Sequence, residues 1–347
     1  MTVSERFPDD AHLSPTSRAG PAADIPLSVC IPTRNRPDLL ARALSSVTQA
    51  VPADASQVEL IVSDNSDDSC SEALCKEVLG SWQGRQTYVR NPDGLGMVGN
   101  FNRCVELATG RYVLILHDDD YLMPGAIRNL LEVIDNAAPS ERVLQFGVRV
   151  VDHRDRVLRR QEFRSARYLP PRMALERALR HSSFVRFPAI VVRRDAYEAA
   201  GPFNAEVGGA TDFDMWTRLF ARFGVSCIPV TTSAYVVHDE AHTSGVWTPQ
   251  TLDNANAIFA RAKEMGLLDE RTFRRCQADW FHQFILGGVV RRLRVKDWAG
   301  ARRVHKLFRQ PSVRSLGWSG RWVVVRVCLA AVTLPTGLTG ERGNEVA

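Results

Sequence analysis

Four features are missing from this 347-residue chain, and each absence argues against a class of protein. Its seven cysteines (Cys30, Cys70, Cys75, Cys104, Cys227, Cys276 and Cys328) are odd in number, scattered and contain no CxxC pair. That argues against a disulfide framework or a structural zinc site and for a reducing compartment. The first 26 residues, rich in Asp, Pro, Ser and Ala, have no apolar core of the secretory kind and read as a disordered lead-in. No run reaches the ~20 apolar residues of a membrane span, since Trp322–Leu334 is too short and carries Arg326. Finally, Pro32-Thr33-Arg34-Asn35-Arg36 follows the first expected strand without a glycine, where a nucleotidyltransferase ordinarily has a Gly-rich phosphate loop.

What remains is an ordinary globular composition, 45% hydrophobic and 24% charged, with length for one large core or two smaller ones. The net charge of +5 is unevenly spread. Residues 271–326 hold fourteen Arg and Lys against Asp279 and Asp297, so an acidic N-terminal globule is followed by a basic C-terminal region.

After Pro26 the pattern alternates. Apolar runs at 27–32, 58–63, 87–90 and 112–116 read as strands, and 37–49, 72–79 and 96–108 carry helical spacing. The fold class is therefore α/β, with a mainly parallel sheet flanked by helices. Ligands of such sheets bind outside the carboxyl ends of the strands. Those ends are polar here: Thr33-Arg34-Asn35, Asp64-Asn65-Ser66 and His117-Asp118-Asp119-Asp120 are expected on one edge, within reach of one ligand.

Three adjacent carboxylates at the end of a buried strand repel one another. A divalent cation holding a diphosphate would justify them, because hard cations bridge carboxylates to phosphates. A solvated acidic turn that starts the next helix is the plainer alternative. Farther on, 143–151, 157–163 and 184–192 read as strands and 172–180 as a helix. A Gly208-Gly209 loop opens a helix near Asp212, where Thr211, Asp212 and Asp214 would also serve as capping residues. Strands are expected at 225–230 and 234–237, followed by His238 and His242 among acids, a loop suited to phosphate or metal contact. From Thr251 onward the signal is helical, at 252–265 and from 270 to about 293. Basic amphipathic stretches lie between Arg291 and Arg309.

Taken together, Ser28–Arg36, Val62–Ser66, Gly99–Asn102 with Ala108–Tyr112, and Leu116–Pro124 resemble the family 2 glycosyltransferases of the GT-A fold, in order and in spacing, over roughly residues 27–245. The resemblance implies an inverting transfer from a nucleotide-diphosphate sugar to an acceptor hydroxyl, in cell-envelope or other glycan biosynthesis. It implies that Pro32, Thr33, Arg34 and Asn35 line the base and ribose pocket, that Asp64 accepts a hydrogen bond from the base, and that Asp118 faces the ribose. Asn102 matches an asparagine counted with the nucleotide-sugar pocket, a packing role being the alternative. Asp119, with Asp120 beside it, matches the metal-binding carboxylate for Mg²⁺ or Mn²⁺, and His238 matches a histidine that reaches the metal or diphosphate. The family usually has Asp where this chain has His117. Thr211-Asp212 falls where it commonly has Glu-Asp, which makes Asp212 the general base; an Asp of ordinary pKa near 3.9 is ionised at neutral pH and can take the acceptor proton.

The expected organisation is a lead-in over 1–26, a GT-A glycosyltransferase domain over 27–245 and a helical basic region over 246–347. The expected partners are a nucleotide-diphosphate sugar, a glycan or lipid-linked acceptor and an anionic membrane surface, with nucleic acid disfavoured. The expected location is cytoplasmic, peripheral at the inner face of the plasma membrane. Two competing readings stand beside this one: a nucleotidyltransferase that makes an activated sugar, and a non-enzymatic protein that binds nucleic acid or sugar.

Overall fold

The structure, a computed structural model, describes residues 25–50, 55–80, 82–237, 246–316, 320 and 322–333. The chain divides into two compact units, 1–178 with 183–241 and 179–182 with 242–347.

The first unit runs β1 (Leu27–Thr33), α1 (Pro37–Ala50), β2 (Val58–Asp64), α2 (Cys70–Leu79), β3 (Gln86–Arg90), α3 (Gly96–Leu107), β4 (Tyr112–Ile115), β5 (Tyr121–Leu122), α4 (Ala126–Asn136), β6 (Val143–Asp152), β7 (Val157–Gln161), β8 (Arg167–Leu169), α5 (Pro171–Arg180, ending in the second unit), β9 (Ile190–Arg193), α6 (Arg194–Ala200), α7 (Thr211–Phe223) and β10 (Val225–Val237). One sheet holds the strands in the order β3-β2-β1-β4-β9-β6-β10-β5, with β7 on β6 and β8 on β10. Its first four strands are parallel, while β9 runs antiparallel to β4 and β6.

Burial on both faces follows from the period of two along each strand. Leu27, Val29 and Ile31 of β1 meet Leu40, Leu44 and Val47 of α1, together with residues of α2 and α4. Cys30 and its neighbours Ile61 and Val113 face the other way, in a core with Phe101 and Cys104 of α3 and Met215, Leu219 and Phe220 of α7. Fully buried Glu59 ties the sheet to the turn before β4: its Oε2 accepts from Ser28 Oγ at 2.6 Å and from Thr109 N at 2.8 Å, while Arg85 Nε lies 3.0 Å from Oε1. Gly110 fits that turn because a Cβ there would lie 2.7 Å from Ser28 N.

Three expectations need correction. Ile25 and Pro26, counted with the lead-in, already belong to the fold, since their carbonyls accept from Arg111 N and Tyr112 N; residues 1–24 lie outside the described residues. The strand expected over 184–192 is cut short. Pro188 has no N–H for a ladder, so Phe187–Ala189 forms a 3₁₀ turn and pairing starts at Ile190. The two strands expected at 225–230 and 234–237 are one, with register shifts between Cys227 and Ser233 that absorb Pro229.

The second unit is helical: α8 (Pro249–Glu264), α9 (Glu270–Arg294), α10 (Trp298–Lys306), α11 (Pro311–Arg314) and α12 (Val323–Thr333). Thr248 caps α8 with Pro249 in its first turn, and Asp269 caps α9 by accepting from Thr272 N at 2.9 Å. Phe259 meets Phe273 and Trp280 edge to face and Phe281 at a tilt in its core. Among the described residues no helix is long and apolar enough to cross a membrane.

Candidate active site

The parallel order β2-β1-β4 sets three polar strand ends side by side. Thr33 pairs with Asp64 in register, Asn65 N donates to Thr33 O, and Leu116 N donates to Cys30 O. Pro32 and Thr33 are buried and Arg34 is exposed, 3.5 Å from Asp67. Asn35 turns the chain with a φ of 53°, a left-handed geometry that Asn tolerates better than most residues. From there its side chain exchanges two hydrogen bonds with Asp67, and its N–H donates to Ser66 Oγ. The loops after β1 and β2 are thereby clasped.

Asp64, expected to accept from the base, is fully buried and already accepts from Ser66 N at 2.8 Å and Tyr88 Oη at 2.7 Å. Each of its oxygens thus already accepts one hydrogen bond within the fold. Asn102 differs from its expected place more sharply. Its amide donates to Phe203 O and its carbonyl accepts from Phe203 N at 2.7 Å, so both halves serve the backbone of a core residue. Buried Asn100 is the asparagine at the strand ends: it donates to Thr33 O and accepts from Asn91.

The acidic triplet separates by direction. Asp118 turns toward β1, accepting from Thr33 Oγ1 at 2.8 Å with Arg36 Nη1 at 3.4 Å; the same Arg36 lies 3.6 Å from Asp119. Burial, with the charge of Asp119 added, pushes Asp118 up to about 6. Asp120 points inward, where its Oδ1 accepts from Val236 N at 2.9 Å and its Oδ2 is buried with no hydrogen-bond partner among the described residues. Burial and Asp119 raise its pKa well above the ordinary value. His117 is stacked on Phe101, with centroids 5.2 Å apart, and lies 4.4 Å from Phe187. One donor atom from each of His117, Asp119 and Asp120 lies within 4.8 Å of the other two. An oxygen-rich set of that span, with a buried carboxylate oxygen to spare, fits a divalent cation. The sequence had marked His117 as a departure from its family, and the structure places it in the candidate cation set.

Asp118 also has a consequence for stability. A carboxyl held at about 6 in the fold and near 3.8 outside it favours the folded state only while protonated. The penalty is negligible near pH 3 and grows as pH rises from about 4 to above 6, reaching on the order of 2 kcal/mol. Asp118→Asn is therefore expected to raise the melting temperature of the cation-free protein at pH 8 and to change it little at pH 4. Equal shifts at both pH values in thermal denaturation would contradict this.

Ala210 occupies the N-cap position of α7, so Thr211 and Asp212 are its first helical residues rather than caps. Asp214 is spoken for: Arg218 Nε donates to it at 2.9 Å while the rest of that guanidinium binds the carbonyls of Ala200, Gly201 and Pro202. Asp212 accepts from Phe213 N at 2.6 Å. Its pKa is not ordinary, because burial raises it against the lowering pull of that amide and of Arg186. Arg186 lies 4.6 Å over the ring of Tyr235. Burial lifts the Tyr235 pKa, Arg186 opposes the lift, and the charges of Asp120, Asp119 and Asp212 all add to it. One phenol thus feels the charges of Asp119, Asp120 and Asp212 alike. His238 lies outside the described residues. Arg36, Asn100, Arg186 and Tyr235 carried no signal that periodicity could have found.

A mainly parallel sheet with these polar strand ends and a carboxylate cluster suited to a cation is the arrangement of a GT-A glycosyltransferase. Residues 28–201, half of the chain, match the family described as Glycosyl transferase family 2, and the chain belongs to that family. A protein of Mycobacterium tuberculosis with no assigned activity is 27% identical over 68% of this chain and 73% of its own length. The Campylobacter jejuni GalNAc(5)-diNAcBac-PP-undecaprenol beta-1,3-glucosyltransferase is 30% identical over 30% of this chain, and the match spans only 33% of that enzyme. Among solved structures, S. aureus TarS 1-349 in complex with UDP-GlcNAc superposes with a TM-score of 0.57 at 15% identity over 82% of this chain and 92% of that one. The mannosyltransferase PcManGT of Pyrobaculum calidifontis, in complex with GDP-Man and Mn²⁺, gives 0.53 at 16% identity over 91% of this chain and 82% of its own.

Proposed function

We propose that this glycosyltransferase works by single displacement with inversion, Asp212 being the general base and His117, Asp119 and Asp120 the holders of Mg²⁺ or Mn²⁺. The observation that carries the reading is the His117, Asp119 and Asp120 cluster, whose donor atoms lie within 4.8 Å of one another at the end of β4, in a chain that matches the family over residues 28–201. The acceptor oxygen forms a bond to the anomeric carbon, its proton passes to Asp212, and the bond from that carbon to the donor phosphate breaks with its electron pair on the phosphate oxygen. A raised pKa makes Asp212 a stronger base than an exposed carboxylate, and the field of Arg186 opposes its protonation. When bound, the cation supplies Lewis-acid neutralisation of the departing charge. Pro32, Thr33, Arg34 and Asn35 frame the nucleoside, with Asp118 toward the ribose, Asp64 beneath the base and Asn100 rather than Asn102 behind the strand ends.

The donor is a nucleoside-diphosphate sugar, as in the TarS and PcManGT complexes. The Campylobacter relative, named for an undecaprenol-linked glycan, supports a lipid-linked acceptor. The test is purified protein with Mn²⁺ against a panel of UDP-, GDP-, dTDP- and CDP-sugars, measuring donor hydrolysis and thermal shift. At least one donor is expected to raise the melting temperature only with cation present, and a panel without response would sink the reading.

The 246–347 region is proposed to attach the enzyme peripherally to the inner, cytoplasmic face of an anionic membrane. In α12, Val324 is 69% and Val327 54% exposed, and Trp298 opening α10 is 48% exposed, beside the Arg- and Lys-rich 291–309 stretch. Apolar side chains amid cations suit an interface, where each basic residue adds about 1 kcal/mol. The full chain is expected to sediment with vesicles of phosphatidylglycerol and phosphatidylcholine, to lose that binding in high salt, and to ignore pure phosphatidylcholine. Equal binding to both vesicle types, or to neither, would remove the membrane from the account.

A further inference from the structure

Arg186 precedes the 3₁₀ turn Phe187–Ala189, and Phe187 lies 4.4 Å from His117 and 5.1 Å from Trp216 of α7. The backbone carrying Arg186 is therefore pinned between the candidate cation cluster and the helix that presents Asp212. Its guanidinium carbon lies 4.6 Å from the centre of the Tyr235 ring, and its charge acts on both Asp120 and Asp212. Its Nε is buried and has no hydrogen-bond partner among the described residues. A buried donor without an acceptor weakens a fold. If Arg186 were only a counter-ion for the acids, Nε would be the natural atom to spend on one of them, yet Asp120 Oδ2 is also buried and unpartnered. Thr211 Oγ1, next to Asp212, is in the same condition. Open donor and acceptor atoms on Arg186, on Asp120 and beside Asp212, groups whose charges act on one another, point to a ligand that completes them.

Resting on the transferase reading above, we propose that Arg186 is a catalytic residue that binds the donor phosphate bonded to the sugar. Nε–H donates to a non-bridging oxygen of that phosphate, and the guanidinium holds the charge the phosphate gains as its bond to the anomeric carbon breaks. A permanent, planar cation suits a phosphate better than a neutral sugar hydroxyl. Its place beside the carboxylates proposed to hold the cation puts it where a cation-bound diphosphate must lie. Its seat 4.6 Å over the Tyr235 ring restrains the side chain, so less order is lost when it bonds.

The test compares full-length wild type with Arg186→Gln and Arg186→Lys, using the nucleotide sugar that wild type turns over. Affinities for the corresponding nucleoside diphosphate and nucleoside monophosphate are measured by calorimetry with Mn²⁺. In Arg186→Gln, kcat is expected to fall by roughly 10²–10³-fold, the scale for losing one donor to a developing anion. Diphosphate affinity should weaken about tenfold or more while monophosphate affinity stays within twofold, because the monophosphate lacks the group Arg186 is assigned to bind. Added guanidinium should restore part of the rate. Arg186→Lys keeps the charge without the Nε donor, and should lose less affinity than Arg186→Gln but a comparable share of kcat. It carries the test should Arg186→Gln not fold. Equal changes in diphosphate and monophosphate affinity, or kcat within threefold of wild type in either variant, would overturn the assignment. Absence of cation-dependent diphosphate binding by wild type would instead overturn the transferase reading itself.

Discussion

Asp212→Asn is expected to yield a folded protein that binds cation and donor as wild type does but transfers sugar 10²–10⁴-fold more slowly, the contribution ordinary for a positioned general base. The substitution is nearly isosteric, and the amide oxygen can still accept from Phe213 N, the hydrogen bond that anchors the native side chain at 2.6 Å. Because burial disfavours the charged form of Asp212, a neutral amide should leave the melting temperature unchanged or slightly higher. The control is Asp214→Asn. Asp214 is 2% exposed and bound to Arg218, so its loss should lower stability by roughly 2–4 kcal/mol through an uncompensated buried cation. It should spare kcat in the fraction that remains folded. Steady-state rates, donor titration and thermal denaturation separate the two. Turnover by Asp212→Asn within a few-fold of wild type would remove it as the base.

Asp119→Ala should fail differently, losing donor binding along with transfer. Among the three adjacent acids, Asp118 is engaged by Thr33 and Arg36, and Asp120 has one oxygen on Val236 N. Asp119, with 17% of its side chain exposed, belongs to the His117 and Asp120 set and opens most toward an incoming phosphate. Removing it takes away a cation ligand and one charge of the cluster while leaving Arg36 its partner Asp118. The expected outcome is loss of the Mn²⁺-dependent thermal shift and a fall in kcat/KM of about 10³-fold or more, on the scale of the several kcal/mol a Lewis acid supplies. Chelation of the wild type should reproduce it, and excess Mn²⁺ should rescue only the chelated wild type. A variant that kept its cation-dependent shift would show that the cation is held elsewhere.

The two experiments fail separately because Asp119 belongs to the turn between β4 and β5 and Asp212 to the first turn of α7, and that division was only half legible in the chain. Residues 27–33, 58–64 and 112–120 announce themselves, since an apolar run of strand length ending in polar residues has few places in a parallel sheet. Choices within a helix were harder. Asn100 and Asn102 stand two positions apart on α3, which turns about 200° between them. One therefore meets Thr33 and the other Phe203, and nothing in the local pattern says which. The same angle separates Asp212 from Asp214. In the irregular His117–Asp120 segment there is no periodicity, so only the structure sends Asp118 to β1 and Asp120 to β10.

Arg186 marks the boundary of sequence reading. It sits in Phe184–Ala189 among apolar residues, where a strand was expected and an isolated arginine means little. Its neighbours Tyr235, Asp120 and Asp212 come from distant points of the chain.

The sequence by itself determined the fold class, the sheet edge that carries chemistry and the kinds of residue gathered there, because strand period, helix spacing and the polarity of strand ends are local properties. Tertiary structure alone decided which carboxylate pairs with an arginine, which is left open, and that Asp119, Asp120 and Asp212 all act on Tyr235. Hydrogen bonds, burial and Coulomb forces act between groups near in space, and a linear pattern does not contain those distances.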